Sequence, residues 1–125
     1  MTAARVAIIN LSQLPPSANN LFNSAGNRRV KTPRYRGWLD VAGWEIATQR
    51  PAKIAGPYAM TLWFERAKRR SDISNRVKAV EDVLVTHGVI EDDSLCQKLS
   101  AEWSNQIKGV RIMVASTRGG SNAVS

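Results

Sequence analysis

Asp72, Lys78 and the adjacent Asp92 and Asp93 bracket one amphipathic stretch of the chain, RRSDISNRVKAVEDVLVTHGVIEDDSLC, between Arg69 and Cys96. Carboxylates at both ends of a helix, with a lysine between them and arginines just before, can hold a divalent cation against a phosphodiester. Hard ions such as Mg2+, with Mn2+ as a substitute, take oxygen ligands and keep several waters, so two or three carboxylates and a substrate phosphate suffice. Such an ion activates a water and offsets charge in the transition state, with Lys78 placed to stabilise that charge or the leaving oxygen. Plainer readings stand beside this one. Asp72 can cap the helix it precedes, Asp82 can form a surface ion pair with Lys78 four residues earlier, and Glu91-Asp92-Asp93 can be a solvated turn. His87, the single histidine, could serve as a base but is more simply a helix C-terminal cap interaction. Ser74 has no histidine and acid arranged around it, which argues against a serine nucleophile.

Charge indicates the partner. With 18 Lys+Arg against 10 Asp+Glu, the formal charge is +8 on 125 residues, which favours a polyanion such as nucleic acid. Basic residues cluster at Arg28, Arg29, Lys31, Arg34 and Arg36, and again at Arg66, Lys68, Arg69 and Arg70, whereas acids gather between residues 81 and 93. An acidic spot on a basic face repels phosphate unless a cation sits there, and basic rim with acidic centre suggests a nuclease. The single cysteine, Cys96, excludes an intrachain disulfide and a cysteine zinc site, and reads as a small buried strand residue. No charged leader with a long apolar run opens the chain and no stretch has the length of a membrane span, so a soluble, cytoplasmic protein is expected.

The elements that must position these groups follow from the pattern. Residues 5–11 read as a first strand. A turn-rich segment follows, in which Asn19 and Asn20 could cap a short helical turn and Ser24 to Asn27 reads as a mobile loop carrying Arg28 and Arg29 outward. Thr32 and Pro33 mark the start of a helix that should stop near Arg50, before Pro51. Residues 56–66 alternate as a strand, with Tyr58, Met60, Leu62 and Phe64 on one face and Trp63 on the other. A second helix is predicted over 74–87, ended by Gly88 as a left-handed cap, with Ile73, Val77, Val80 and Leu84 inward and Asn75, Lys78 and Asp82 outward. Two further strands are expected at 95–103 and 110–115. The order implies a small single α+β domain, a mixed β-sheet with two main helices packed on one side of it, over residues 1–116, and a disordered tail over 117–125.

The stretch resembles the RusA-type Holliday junction resolvases, whose signature runs Asp-x-Asp-Asn-x-x-Lys, then an Asp on the same helix, a Gly and an Asp-Asp pair. The matching residues are Asp72, Asn75, Lys78, Asp82, Gly88, Asp92 and Asp93, in the same order, and LPPSANN is similar to the family's Pro-Pro-Ser-x-Asn segment. The resemblance spans most of residues 14–95. It implies a homodimer that cuts DNA four-way junctions, with Asp72 and Asp93 as metal-binding carboxylates and Lys78 as the accompanying cation. A C2 dimer presents two sites in the relation that paired nicks require. One departure stands out, since Ser74 occupies the place of the family's second aspartate. Ser74 is then a candidate donor through its hydroxyl or a water, and Asp82 or Asp92 a candidate source of the missing charge. Arg28, Arg29, Lys31, Arg34, Arg36, Lys68, Arg69, Arg70 and Asn75 are candidate DNA contacts. The competing functions are a junction-binding protein that does not cut, motivated by Ser74, and a basic RNA-binding module, which would explain the charge but not the acids at both helix ends.

Overall fold

The alternation of YAMTLWFE is resolved as a strand whose Tyr58, Met60, Leu62 and Phe64 are almost fully excluded from solvent. A computed structural model describes residues 5–17, 21–66 and 73–117 of the chain. In chain order the elements are β1 (Val6–Leu11), β2 (Phe22–Ala25), β3 (Arg28–Lys31), α1 (Pro33–Gln49), β4 (Tyr58–Glu65), α2 (Ile73–Thr86), β5 (Cys96–Ser104) and β6 (Val110–Ser116). Four strands form one sheet in the order β1-β6-β4-β5, and β2 and β3 form a separate hairpin. β4 pairs parallel with β5 and antiparallel with β6, while β1 pairs antiparallel with β6. The sheet is therefore mixed, and the expected α+β architecture with two helices holds. A parallel neighbour needs a crossover connection, and α2 is that crossover.

One face of the sheet carries the core. Ala7, Ile9 and Leu11 of β1, Val110, Ile112 and Val114 of β6 and the four inward residues of β4 join Val77, Val80, Val83 and Leu84 of α2 and Tyr35, Trp38, Ala42 and Ile46 of α1 in a single buried cluster. The opposite face has no helix over it among the described residues, and leaves Val6 and Ile8 exposed. β1 is an edge strand, whose unpaired backbone groups need partners. α1 supplies them. The amide of Asn10 donates to Gln49 Oε1 at 2.9 Å, the Gln49 side chain donates to Asn10 O at 2.7 Å, and Ser12 N donates to Glu45 Oε1 at 3.0 Å.

Both ends of α1 and the C-terminal end of α2 fall where the chemistry demands. The Thr32 hydroxyl accepts from Tyr35 N at 3.0 Å with Pro33 at the first helical position, and Arg50, in the left-handed region at φ 49, ends α1 before Pro51. Thr32→Ala is expected to cost about 1 kcal/mol of stability, read as a shift in the urea midpoint at unchanged slope. An unchanged midpoint would mean that the cap bond does not hold the helix start. At the end of α2, Gly88 lies at φ +73 with Gly88 N donating to Val85 O at 3.0 Å and Val89 N to Leu84 O at 2.9 Å. These two bonds are the Schellman pattern that reverses the chain.

One expectation is corrected. The segment read as a mobile loop is a β-hairpin, with Phe22 opposite Lys31 and Ala25 opposite Arg28. Gly26, at φ +65, opens its two-residue turn. His87 is exposed at the end of α2, and its ring lies against Gly43 of α1, where an added Cβ would sit 2.6 Å from Nε2. The suggested helical turn at Asn19 and Asn20 and the tail from residue 118 onward lie outside the described residues. No described helix is long and apolar enough to cross a membrane.

Candidate active site

The three consecutive acids after α2 have three separate tasks. Past the Schellman turn, Val89 and Ile90 are buried, and Ile54 N donates to Val89 O at 2.8 Å, which anchors the returning chain. Glu91 accepts from Gly56 N at 2.9 Å and so ties the connection to the approach of β4. Asp92 caps a single 3-10 turn, Asp93–Leu95, accepting from Ser94 N at 3.0 Å and from the Ser94 hydroxyl. Those two bonds hold the Asp92 carboxyl below the ordinary range. Asp93, the first residue of that turn, is thereby aimed back at the helix, where Lys78 Nζ donates to Asp93 Oδ2 at 2.6 Å.

Lys78 also pairs with Asp82 at 3.2 Å on its own helix. Its side chain is 58% exposed, so the pairs contribute at most about 1 kcal/mol to folding. Their consequence is electrostatic. Hydrogen bonds donated to Asp93 first and Asp82 second raise the Lys78 pKa well above its ordinary value, which keeps the ammonium charged at any working pH. Among the described residues that line the cleft, Lys31 and Lys78 stand against Asp40, Asp82, Asp92 and Asp93, an excess of two negative charges in a chain of formal charge +8.

These groups line a cleft of about 660 Å³ whose other wall is Phe22 and Lys31 of the hairpin and Tyr35 and Asp40 of α1. Phe22 meets Tyr35 edge-on with centroids 5.7 Å apart, and the Arg29 guanidinium lies 4.3 Å from the Phe22 centroid. Alternation along the hairpin puts Phe22, Arg29 and Lys31 on one face and Arg28 on the other. Arg34 lies elsewhere, beside the Pro15-Pro16 segment, and Arg36 is an exposed residue of α1. Ser74 is exposed and Asn75 half-buried in the first turn of α2. Asp72, Lys68, Arg69 and Arg70 lie outside the described residues.

Three residues that support the site without lining the cleft escape sequence reasoning. Arg76 is buried on α2, donates to Pro15 O and lies 5.9 Å from the Trp103 centroid, so it ties the Pro-Pro-Ser segment to α2. Trp38 Nε1 donates to Gln13 O at 2.8 Å and holds the same segment from α1. Glu81 is half-buried, and burial first and Asp93 second push its carboxyl up. Only the alternation of charge with apolar residues along α2 marks Arg76 and Glu81, and that pattern also fits ordinary surface residues.

Among the described residues, no group of three or more His, Cys, Asp or Glu side chains is arranged to hold a metal ion. The donors that are present fit Mg2+ or Mn2+ by type. They are hard carboxylate oxygens, and Mg2+ is commonly held by one or two carboxylates together with substrate phosphate and water. Asp93, with its side chain one-third exposed, can supply one such ligand.

The profile of the family described as endodeoxyribonuclease RusA matches residues 13–115, which take in every strand and helix of the domain except β1 and the last residue of β6. The chain belongs to the RusA family of endodeoxyribonucleases, hydrolases that cut DNA strands internally. It is similar to the crossover junction endodeoxyribonuclease RusA of Aquifex aeolicus (strain VF5), with 33% identity over 89 residues, 68% of this chain and 70% of that protein.

Proposed function

We propose that the chain is a Mg2+-dependent, structure-selective endonuclease that resolves DNA four-way junctions in recombination and repair, acting as a homodimer. The excess negative charge around Lys78, set within a strongly basic chain, is the observation that carries this reading. A phosphodiester approaching Asp82, Asp92 and Asp93 would be repelled unless a divalent cation joined them. Asp72 and Asp93 are assigned as the carboxylates that hold it, with Asp92 and Ser74 as further donors. When bound, the ion polarises the phosphodiester and lowers the pKa of an attacking water.

The chain's own groups do the rest. Lys78, kept protonated by its two carboxylate partners, offers a fixed positive charge to the phosphoryl oxygens or the leaving oxygen. Arg29 and Lys31 on the hairpin, together with Arg28, Arg34, Arg36, Lys68, Arg69, Arg70 and Asn75, are assigned to the backbone phosphates, contacts that weaken with salt. Two sites related by a two-fold axis would deliver the paired nicks that resolution needs.

The test is incubation of the purified protein with a synthetic four-way junction and Mg2+, with its mass measured in parallel by light scattering. Symmetric nicks and twice the chain mass are expected. Tight junction binding without cutting in Mg2+ or Mn2+ would instead favour the second reading, a junction-binding protein of the same fold, which Ser74 motivates. Ser74→Asp tests the same point. A carboxylate added in the first turn of α2 suits the helix dipole, and the variant is expected to cut about tenfold faster at low Mg2+, with a lower metal requirement. An unchanged or slower rate would show that a third carboxylate at this position is not limiting.

A further inference from the structure

We infer that the cleft beside the Lys78–Asp93 pair receives one unstacked nucleobase next to the phosphodiester that is cut. The inference rests on the endonuclease reading above and adds to it a base-binding site. At about 660 Å³ the cleft has the size of a small-molecule pocket, roughly 300–1,000 Å³, too small to admit a duplex. Its acids make it a poor phosphate site. Asp40 and Asp82 both line it, and Asp40 takes part in no ion pair among the described residues.

A base meets different chemistry there. The Phe22 ring is half-buried and braced edge-on by Tyr35, so its plane is fixed. Arg29, which does not line the cleft, backs one face of that ring, and a planar aromatic group so held is the kind of platform on which unpaired bases stack. Lys31, directly across the hairpin from Phe22, can hold the phosphate of the same nucleotide. The Asp40 carboxylate accepts from an exocyclic amine, which adenine, cytosine and guanine carry and thymine lacks. Bases at a branch point have lost a stacking neighbour, so withdrawing one there costs less than in a continuous duplex.

The experiment places 2-aminopurine at successive positions around the scissile phosphate of a synthetic junction and reads fluorescence on binding in EDTA. Cleavage of the unmodified junction in Mg2+ is run alongside. A several-fold rise at one position is expected with the wild-type protein and little with Phe22→Leu, which keeps apolar bulk against Tyr35 but removes the π-face. Phe22→Leu should slow cleavage roughly tenfold, the worth of about 1–2 kcal/mol of base stacking. An abasic nucleotide at the responding position should erase that difference between the two proteins. Asp40→Asn, which can also donate to thymine O4, should narrow discrimination against thymine there by on the order of tenfold. Cutting by the wild-type protein with no fluorescence response at any position, or abasic and Phe22→Leu effects that simply add, would overturn the base site while leaving the endonuclease reading intact. Absence of both cutting and binding would overturn the two together.

Discussion

Asp93→Asn is expected to lower junction cleavage on the order of a thousandfold, about 4 kcal/mol of barrier, while junction binding without metal is retained or tightened. Asparagine keeps the shape and one acceptor oxygen but removes the charge assigned to the cation. The loss would not arise through Lys78. Its second partner, Asp82, remains at 3.2 Å, so the ammonium stays charged at neutral pH. Because the folded pKa of Lys78 is raised above the ordinary 10.5, the stabilising effect of its pairs is complete below that value and fades only as pH rises through the raised one. No change in stability from this group is therefore expected between pH 6 and 9. Asp82→Asn is the comparison, since the Asp82 carboxylate is paired with Lys78 on its own helix at 3.2 Å and is not assigned as a metal ligand, so its removal should cost far less cleavage than loss of Asp93. Metal affinity measured by titration should fall in Asp93→Asn and hold in Asp82→Asn. An Asp93→Asn protein that cuts at more than a tenth of the wild-type rate would sink the assignment.

Local periodicity made the elements legible and left their mutual placement unread. The alternation in β4, the inward stripe of α2, the Thr32-Pro33 start and the Gly88 stop each depend on near neighbours, and each is found in the structure. The hairpin was missed because its strands have four residues each and little apolar content. Gly26-Asn27 between two such runs was the available signal. The acids after α2 could not be told apart in one dimension. Asp93 faces Lys78 only because a Schellman turn, two buried residues and a capped 3-10 turn rotate it there, across a separation of 15 residues. Cys96, expected to be buried, is only partly so, at the first position of β5.

The largest loss of stability is expected from Gly109→Ala, at about 3 kcal/mol or more, a fall in Tm of roughly 10 °C. Two costs combine at this position. At φ +69 a side chain meets left-handed strain of about 1 kcal/mol. The added Cβ would also lie 1.9 Å from Leu11 O, 2.6 Å from Ser12 C and 2.8 Å from Gln13 N, all backbone atoms that no rotamer change can move. Gly109 cannot retreat, because its N donates to Glu65 Oε1 at 2.8 Å and its O accepts from Glu65 N at 2.8 Å. Relief must come from the end of β1 and the residues after it. That segment leads directly to Pro15 and Pro16, held by Trp38 through Gln13 O and by Arg76 through Pro15 O. Displacing it would also disturb the Arg76 anchor on α2, the helix that carries Lys78. Gly26→Ala separates the two costs. Gly26 has a similar φ of +65 with nothing within 4 Å of the added Cβ, so it should lose only about 1 kcal/mol. Urea denaturation of both variants reads the difference, and a Gly109→Ala protein no less stable than Gly26→Ala would show that β1 yields without cost.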